Sequence, residues 1–168
     1  MRFDFYLTTA RGDRAIWRRH VYMLVDLAGA RIPERALREA GDTRQRNRWI
    51  FSGRSLTFKC GVRAASRLMK EQTKLPDAIF AFSDSTAIGA MKELNNHGVE
   101  VPRDISVVGF DNTAVSEMFI PSITTVAQPQ YTMGFTAMDL LIQKINRDSG
   151  CDPSQILSHE IIIRDSVE

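Results

Sequence analysis

The chain has 168 residues, 43% of them hydrophobic and 25% charged, with a formal net charge of +2. That length suits one domain with a core of ordinary size, and the proportions are those of soluble globular proteins. No stretch approaches the roughly 18 apolar residues of a membrane helix. The opening Met1–Asp13 has no apolar signal core, and Cys60 and Cys151 read as separate reduced thiols of a cytoplasmic chain.

The even balance of charge hides an asymmetry. Residues 1–76 hold 17 Lys and Arg against 7 Asp and Glu, and residues 77–168 hold 5 against 13. A basic half raises the question of nucleic acid. Its arginines are dispersed from Arg11 to Arg48 with only Trp49 beside the densest stretch. They form no helix-turn-helix pattern, no zinc spacing and no aromatic-rich RNA signature, so a solvated basic surface is the simpler reading.

In chain order, Phe3–Leu7 suits an opening strand. Ala15–Ala28 has helical spacing closed by Gly29, and Pro33–Ala40 suits a short helix. Trp49–Phe51 suits a strand with a turn at Gly53. Cys60–Lys70 then carries Val62, Ala65, Leu68 and Met69 at helical spacing. Asp77–Phe82 is an apolar run between Pro76 and Ser83, as expected of a strand buried on both faces. Ser83 or Asp84 can cap the next helix, whose apolar positions Ala87, Ile88, Met91 and Leu94 precede Gly98. Asp104–Phe110 is a second buried strand, Ile123–Val126 a third, and His159–Ile163 a terminal one. Between the last two, Gln128-Pro129 leads into a long helix with Met133, Ala137, Leu140, Leu141 and Ile145. Alternation of strand and helix predicts a doubly wound α/β fold, with a parallel sheet and helices on both faces.

Chemistry-bearing patterns are sparse. His20, His97 and His159 stand apart from any Ser or Cys in a nucleophile arrangement. No glycine-rich phosphate loop and no cluster with metal-ligand spacing occurs. The expectation is a protein that is not an enzyme and that needs no metal or cofactor. A parallel sheet opens its crevice at the carboxyl ends of its strands. Asp111 stands there after Val107–Phe110, where a carboxylate accepts two hydroxyl hydrogen bonds. A turn or cap aspartate is the alternative.

Three stretches resemble the lactose-repressor/galactose-repressor family of transcription regulators. They are Leu75-Pro-Asp-Ala-Ile-Phe-Ala-Phe-Ser-Asp-Ser-Thr-Ala-Ile-Gly-Ala90, Gly98-Val-Glu-Val-Pro-Arg-Asp-Ile-Ser-Val-Val-Gly-Phe-Asp-Asn112 and Pro121-Ser-Ile-Thr-Thr-Val-Ala-Gln-Pro129. Cys60-Gly61 with Ala64-Ala65 is a weaker fourth. The resemblance implies a periplasmic-binding-protein-like effector domain that senses a sugar or related metabolite. It also implies a homodimer that reaches operator DNA only through a head absent here, and no membrane association. The alternative is a free-standing solute-binding protein of the periplasmic type. By the same resemblance, residues 52–168 are the second lobe with its crossover helix and last strand, and residues 1–51 a divergent start.

Site residues carry over unevenly. The resemblance implies an effector ligand at Asp111, and at Ser83 in place of the family's Asn, with helix capping as the alternative for Ser83. Asp84 reads as a helix cap. The family's gripping Arg falls nearest Trp17, so Arg18 is the stand-in, and Leu56 occupies the place of a ring-stacking aromatic, with core packing as its alternative. Met91, Leu94 and Phe119 fall on the family's dimer surface, or else in the core. In the family the helix after Gln128-Pro129 packs on the first lobe. Tyr131–Asn146 is therefore expected to show an uncovered apolar face, and the chain to self-associate.

Overall fold

The structure, a computed structural model, describes residues 21–26, 50–53, 55–71, 74–146 and 155–168. Its elements are β1 (Val21–Asp26), β2 (Ile50–Gly53), α1 (Phe58–Glu71), β3 (Ala78–Ala81), α2 (Asp84–Asn96), β4 (Ser106–Phe110), α3 (Ala114–Met118), β5 (Thr124–Ala127), α4 (Gln130–Ile145) and β6 (Glu160–Ile162). The strands form one sheet in the order β2-β1-β3-β4-β5-β6. Pairing is parallel from β2 through β5, and β6 runs antiparallel on the edge. The α/β expectation holds, with one antiparallel edge strand added.

Residues 21–26 depart from the expected helix over Ala15–Ala28. Helical spacing suggested a helix there, but Val21–Asp26 is a strand, paired with β2 through Met23↔Ile50 and with β3 through Val21↔Ala78. Val21-Tyr-Met-Leu-Val25 is a continuous apolar run, the pattern of a parallel strand covered on both sides. Isolated helical spacing across such a run is weak information. The expected elements at Phe3–Leu7 and Pro33–Ala40 lie outside the described residues.

From α1 onward the local chemistry decides each boundary. Ser83 caps α2: its Oγ accepts from Thr86 N at 3.2 Å. Gly98, at φ +76, ends that helix in the left-handed conformation that glycine adopts without strain. Helices α1 and α2 lie together in backbone contact. A side chain at Gly61 would strike the Thr86 carbonyl, and one at Gly89 the Phe58 carbonyl. This close crossing lets Ala64, Ala65 and Leu68 of α1 share one core with Ala87, Met91 and Leu94 of α2 and with Ile79, Val107 and Ile123 of the strands.

Met91 and Leu94, expected as alternatives on a dimer surface, sit in that core at 3% and 0% exposure. They face inward because α2 turns this stripe to the core, the alternative reading of both residues. Phe119 is partly buried against the same core. The exposed apolar side chains around it are Val115 and Met118 on α3 and Ile120 just beyond.

Helix α4 behaves in the opposite way. Not one of its residues is buried, and Tyr131, Phe135, Met138, Ile142 and Ile145 are all at least half exposed. Their spacing of four and three residues lines them along one face of the helix. The uncovered face expected of this helix is present.

Candidate ligand-binding site

The winding of the sheet reverses between β1 and β3, because β2 lies on one side of β1 and β3 on the other. In such sheets the crevice opens beyond the carboxyl ends of the strands. Phe82-Ser83 follows β3 at that edge, Asp111 follows β4, and Gln128 follows β5. Phe82 is half-buried, with its ring stacked on Phe110 at 6.3 Å between centroids and Phe80 edge-on to it at 5.2 Å.

Asp111 stands in an unusual turn. Its φ is 99 and that of Asn112 is 50, two consecutive non-glycine residues in the left-handed region. Such a conformation is strained for a side-chain-bearing residue and persists only where its surroundings impose it. Here they do. Asp111 N donates to Val126 O at 3.0 Å, which fastens the turn to the end of β5. Asn112 N donates to Thr125 Oγ1 at 3.3 Å. Thr113 donates to Asp84 Oδ2 twice, from N at 2.6 Å and from Oγ1 at 2.9 Å.

The Asp111 carboxylate is half-buried beside Gln128, whose Nε2 donates to Oδ1 at 2.6 Å. Oδ2 accepts no hydrogen bond among the described residues, and so remains available to a ligand. Burial pushes the Asp111 carboxyl above its ordinary value. The Gln128 hydrogen bond opposes that rise, and the charge of nearby Asp84 adds to it.

Asp84 is no helix cap, as the sequence suggested, but an interior anchor. It is fully buried, with Oδ2 held by Thr113 and Oδ1 accepting from Thr125 Oγ1 at 2.6 Å. It thereby joins the start of α2 to the Asp111 turn and to β5. The cap is Ser83, and its hydroxyl is engaged inside the chain. Ser83 Oγ donates to Leu56 O at 3.2 Å, lies 2.9 Å from Thr86 Oγ1 and is 6% exposed.

Leu56, in the segment between β2 and α1, is 41% exposed, so the core-packing alternative does not describe it. Arg18 lies outside the described residues. The structure thus brings Asp111, Ser83 and Leu56 to the same edge of the sheet. It adds Gln128, which sequence reasoning had treated only as the lead into a helix. The signal available for Gln128 was its place immediately after a strand of a parallel sheet, the same signal that singled out Asp111. Among the described residues no group of three or more His, Cys, Asp and Glu is arranged to hold a metal ion. No helix there is long and apolar enough to cross a membrane.

A family model described as a periplasmic binding protein-like domain matches residues 5–167. The chain is 37% identical over 138 residues to the HTH-type transcriptional repressor PurR of Vibrio vulnificus, and 36% identical over 135 residues to catabolite control protein A of Priestia megaterium. Each match covers 80% of this chain and 40% of the relative, so the chain spans less than half the length of these proteins. Among solved structures, a complex of the transcriptional regulator CelR with cellobiose superposes with a TM-score of 0.78 at 27% identity, covering 88% of this chain and 46% of that one. The regulator CcpA of Lactococcus lactis superposes with a TM-score of 0.76 at 25% identity, covering 89% of this chain and 56% of that one. These relatives are transcription regulators, which sets aside the free-standing solute-binding reading. With a mostly parallel open sheet and the 5–167 match, the chain belongs to the periplasmic binding protein-like domain family, in the form that lactose-repressor-type regulators carry.

Proposed function

We propose that this chain is the effector-binding lobe of a cytoplasmic lactose-repressor-type transcription regulator, and that its effector is a sugar or related polyhydroxylated metabolite. The observation that carries the reading is Asp111: a half-buried carboxylate on a strained turn at the mouth of a parallel sheet, with one oxygen on Gln128 and the other available. A carboxylate so held accepts hydroxyl hydrogen bonds, and the amide of Gln128 offers both a donor and an acceptor beside it. The half-exposed Phe82 ring and Leu56 side chain supply apolar surface at the same edge, a common composition of carbohydrate-sized sites. The CelR–cellobiose complex supports this ligand class by analogy of fold.

In a regulator built on this lobe, effector binding shifts the population of lobe arrangements and hence the fit of a dimer to operator DNA. DNA contact belongs to a head domain, not to this sheet. The dimer surface is assigned to Val115, Met118 and Ile120 beside Phe119, since Met91 and Leu94 are interior.

A thermal-shift panel of sugars, polyols, sugar acids and nucleobases tests the reading. One compound is expected to stabilise the chain, by about 2.7 kcal/mol at a hundredfold excess over its dissociation constant. That stabilisation should vanish in Asp111→Ala. Stabilisation that survives the substitution would remove Asp111 from the site.

A further inference from the structure

Past the ligand edge, the chain end makes a connection that effector binding alone does not require. Arg164 follows β6, and its side chain is only 14% exposed. Its guanidinium reaches three separate segments. Nη2 donates to Asn112 Oδ1 at 2.9 Å, within the left-handed turn. Nη1 donates to Ser116 Oγ at 3.1 Å, on α3, and to Ile123 O at 2.9 Å, just before β5. The backbone of Arg164 is itself locked, its N donating to Thr124 Oγ1 at 2.8 Å and its O accepting from the same hydroxyl at 3.1 Å. Two residues on, Ser166 is fully buried, with Oγ donating to Val107 O and accepting from Thr124 N.

The guanidinium is therefore fixed from behind and presents its fork to the turn and to α3. Ser116 is buried and bonds back to Thr113 O at 2.7 Å, so α3 is tied to the turn at its own start as well. The outer side of α3 carries the exposed Val115 and Met118. Planar, multidentate donation of this sort is a property of arginine that lysine does not reproduce.

We infer that Arg164 is a positioning residue: it holds Asn112, and with it the Asp111 turn, in the left-handed conformation and couples that turn to α3, so that a change at the ligand edge alters the α3 surface. This rests on the proposed ligand role of Asp111, but the coupling exists without any ligand and is tested without one.

The measurement is amide hydrogen exchange across the full chain in four forms: the parent, Arg164→Lys, Asn112→Ala and the double variant. Arg164→Lys should speed exchange of amides 112–119 by roughly tenfold, the scale of losing charged hydrogen bonds, while amides of α2 keep their protection. Asn112→Ala should speed exchange within α3, although it alters no residue of that helix. The double variant should add little to either single change, since both break one linkage. Uniform loosening that includes α2 would make Arg164 a merely structural residue and overturn the inference. So would additive effects, or an α3 indifferent to Asn112→Ala. Failure of the effector reading would register only in the ligand panel.

Discussion

Helices α2 and α4 are of similar length and both carry regular apolar residues, yet eight of the thirteen residues of α2 are buried and none of α4 is. Helix α2 packs against α1 and the sheet, with Ala87, Ala90 and Leu94 at 0% exposure. Helix α4 holds Phe135, Met138 and Ile142 in the open. Apolar periodicity alone therefore does not tell a covered helix from an open one. An exposed apolar stripe of this kind is the feature on which an expectation of self-association rests. Among the described residues, burial is thus concentrated around α1, α2 and the strands, and α4 stands outside it.

Substitutions can break that contrast. Leu94→Ala, in the core, should lower unfolding free energy by about 4 kcal/mol, measured by denaturant titration. Asp84→Ala should cost about 3 kcal/mol, because Thr113 and Thr125 lose a buried acceptor. Unlike Leu94→Ala, it should also loosen the Asp111 turn.

Asp111→Asn should have a smaller effect of opposite sign. A carboxyl whose value is raised on folding binds its proton more tightly in the folded state, so its contribution to stability is present below the ordinary carboxylate value and lost as pH rises through the raised one. Above that window Asp111→Asn should melt at the same temperature as the parent or higher, and below it the two should coincide. Last, Phe135→Ser in α4 should change stability by no more than about 0.5 kcal/mol and lower the apparent mass of the chain in light scattering, the expected sign of self-association through this face. A chain that is monomeric at high micromolar concentration would contradict the open-face account of α4.

Much of this molecule is legible in its residues, for identifiable reasons. From Phe58 onward, strand, cap, helix and glycine stop agree with one another, as at Ser83, Asp84–Asn96 and Gly98. The place of Asp111 is legible because it follows an apolar run that reads as a parallel strand, and the structure puts it just past β4. Three things were not. The strand Val21–Asp26 carried an apolar run that helical spacing also fitted, and only its pairing with β2 and β3 decides between them. Asp84 looked like a cap because a carboxylate at a helix start is favourable there, whereas its true partners, Thr113 and Thr125, lie 29 and 41 residues away. The link from Arg164 to Asn112 spans 52 residues and leaves no local pattern.

The most direct test of the central claim is the melting temperature of the parent chain and of Asp111→Asn against a panel of sugars and polyols. At least one polyhydroxylated compound should raise the melting temperature of the parent, and Asp111→Asn, at least as stable as the parent without ligand, should lose that rise. No shift with any compound at millimolar concentration, or an equal shift in both chains, would contradict it.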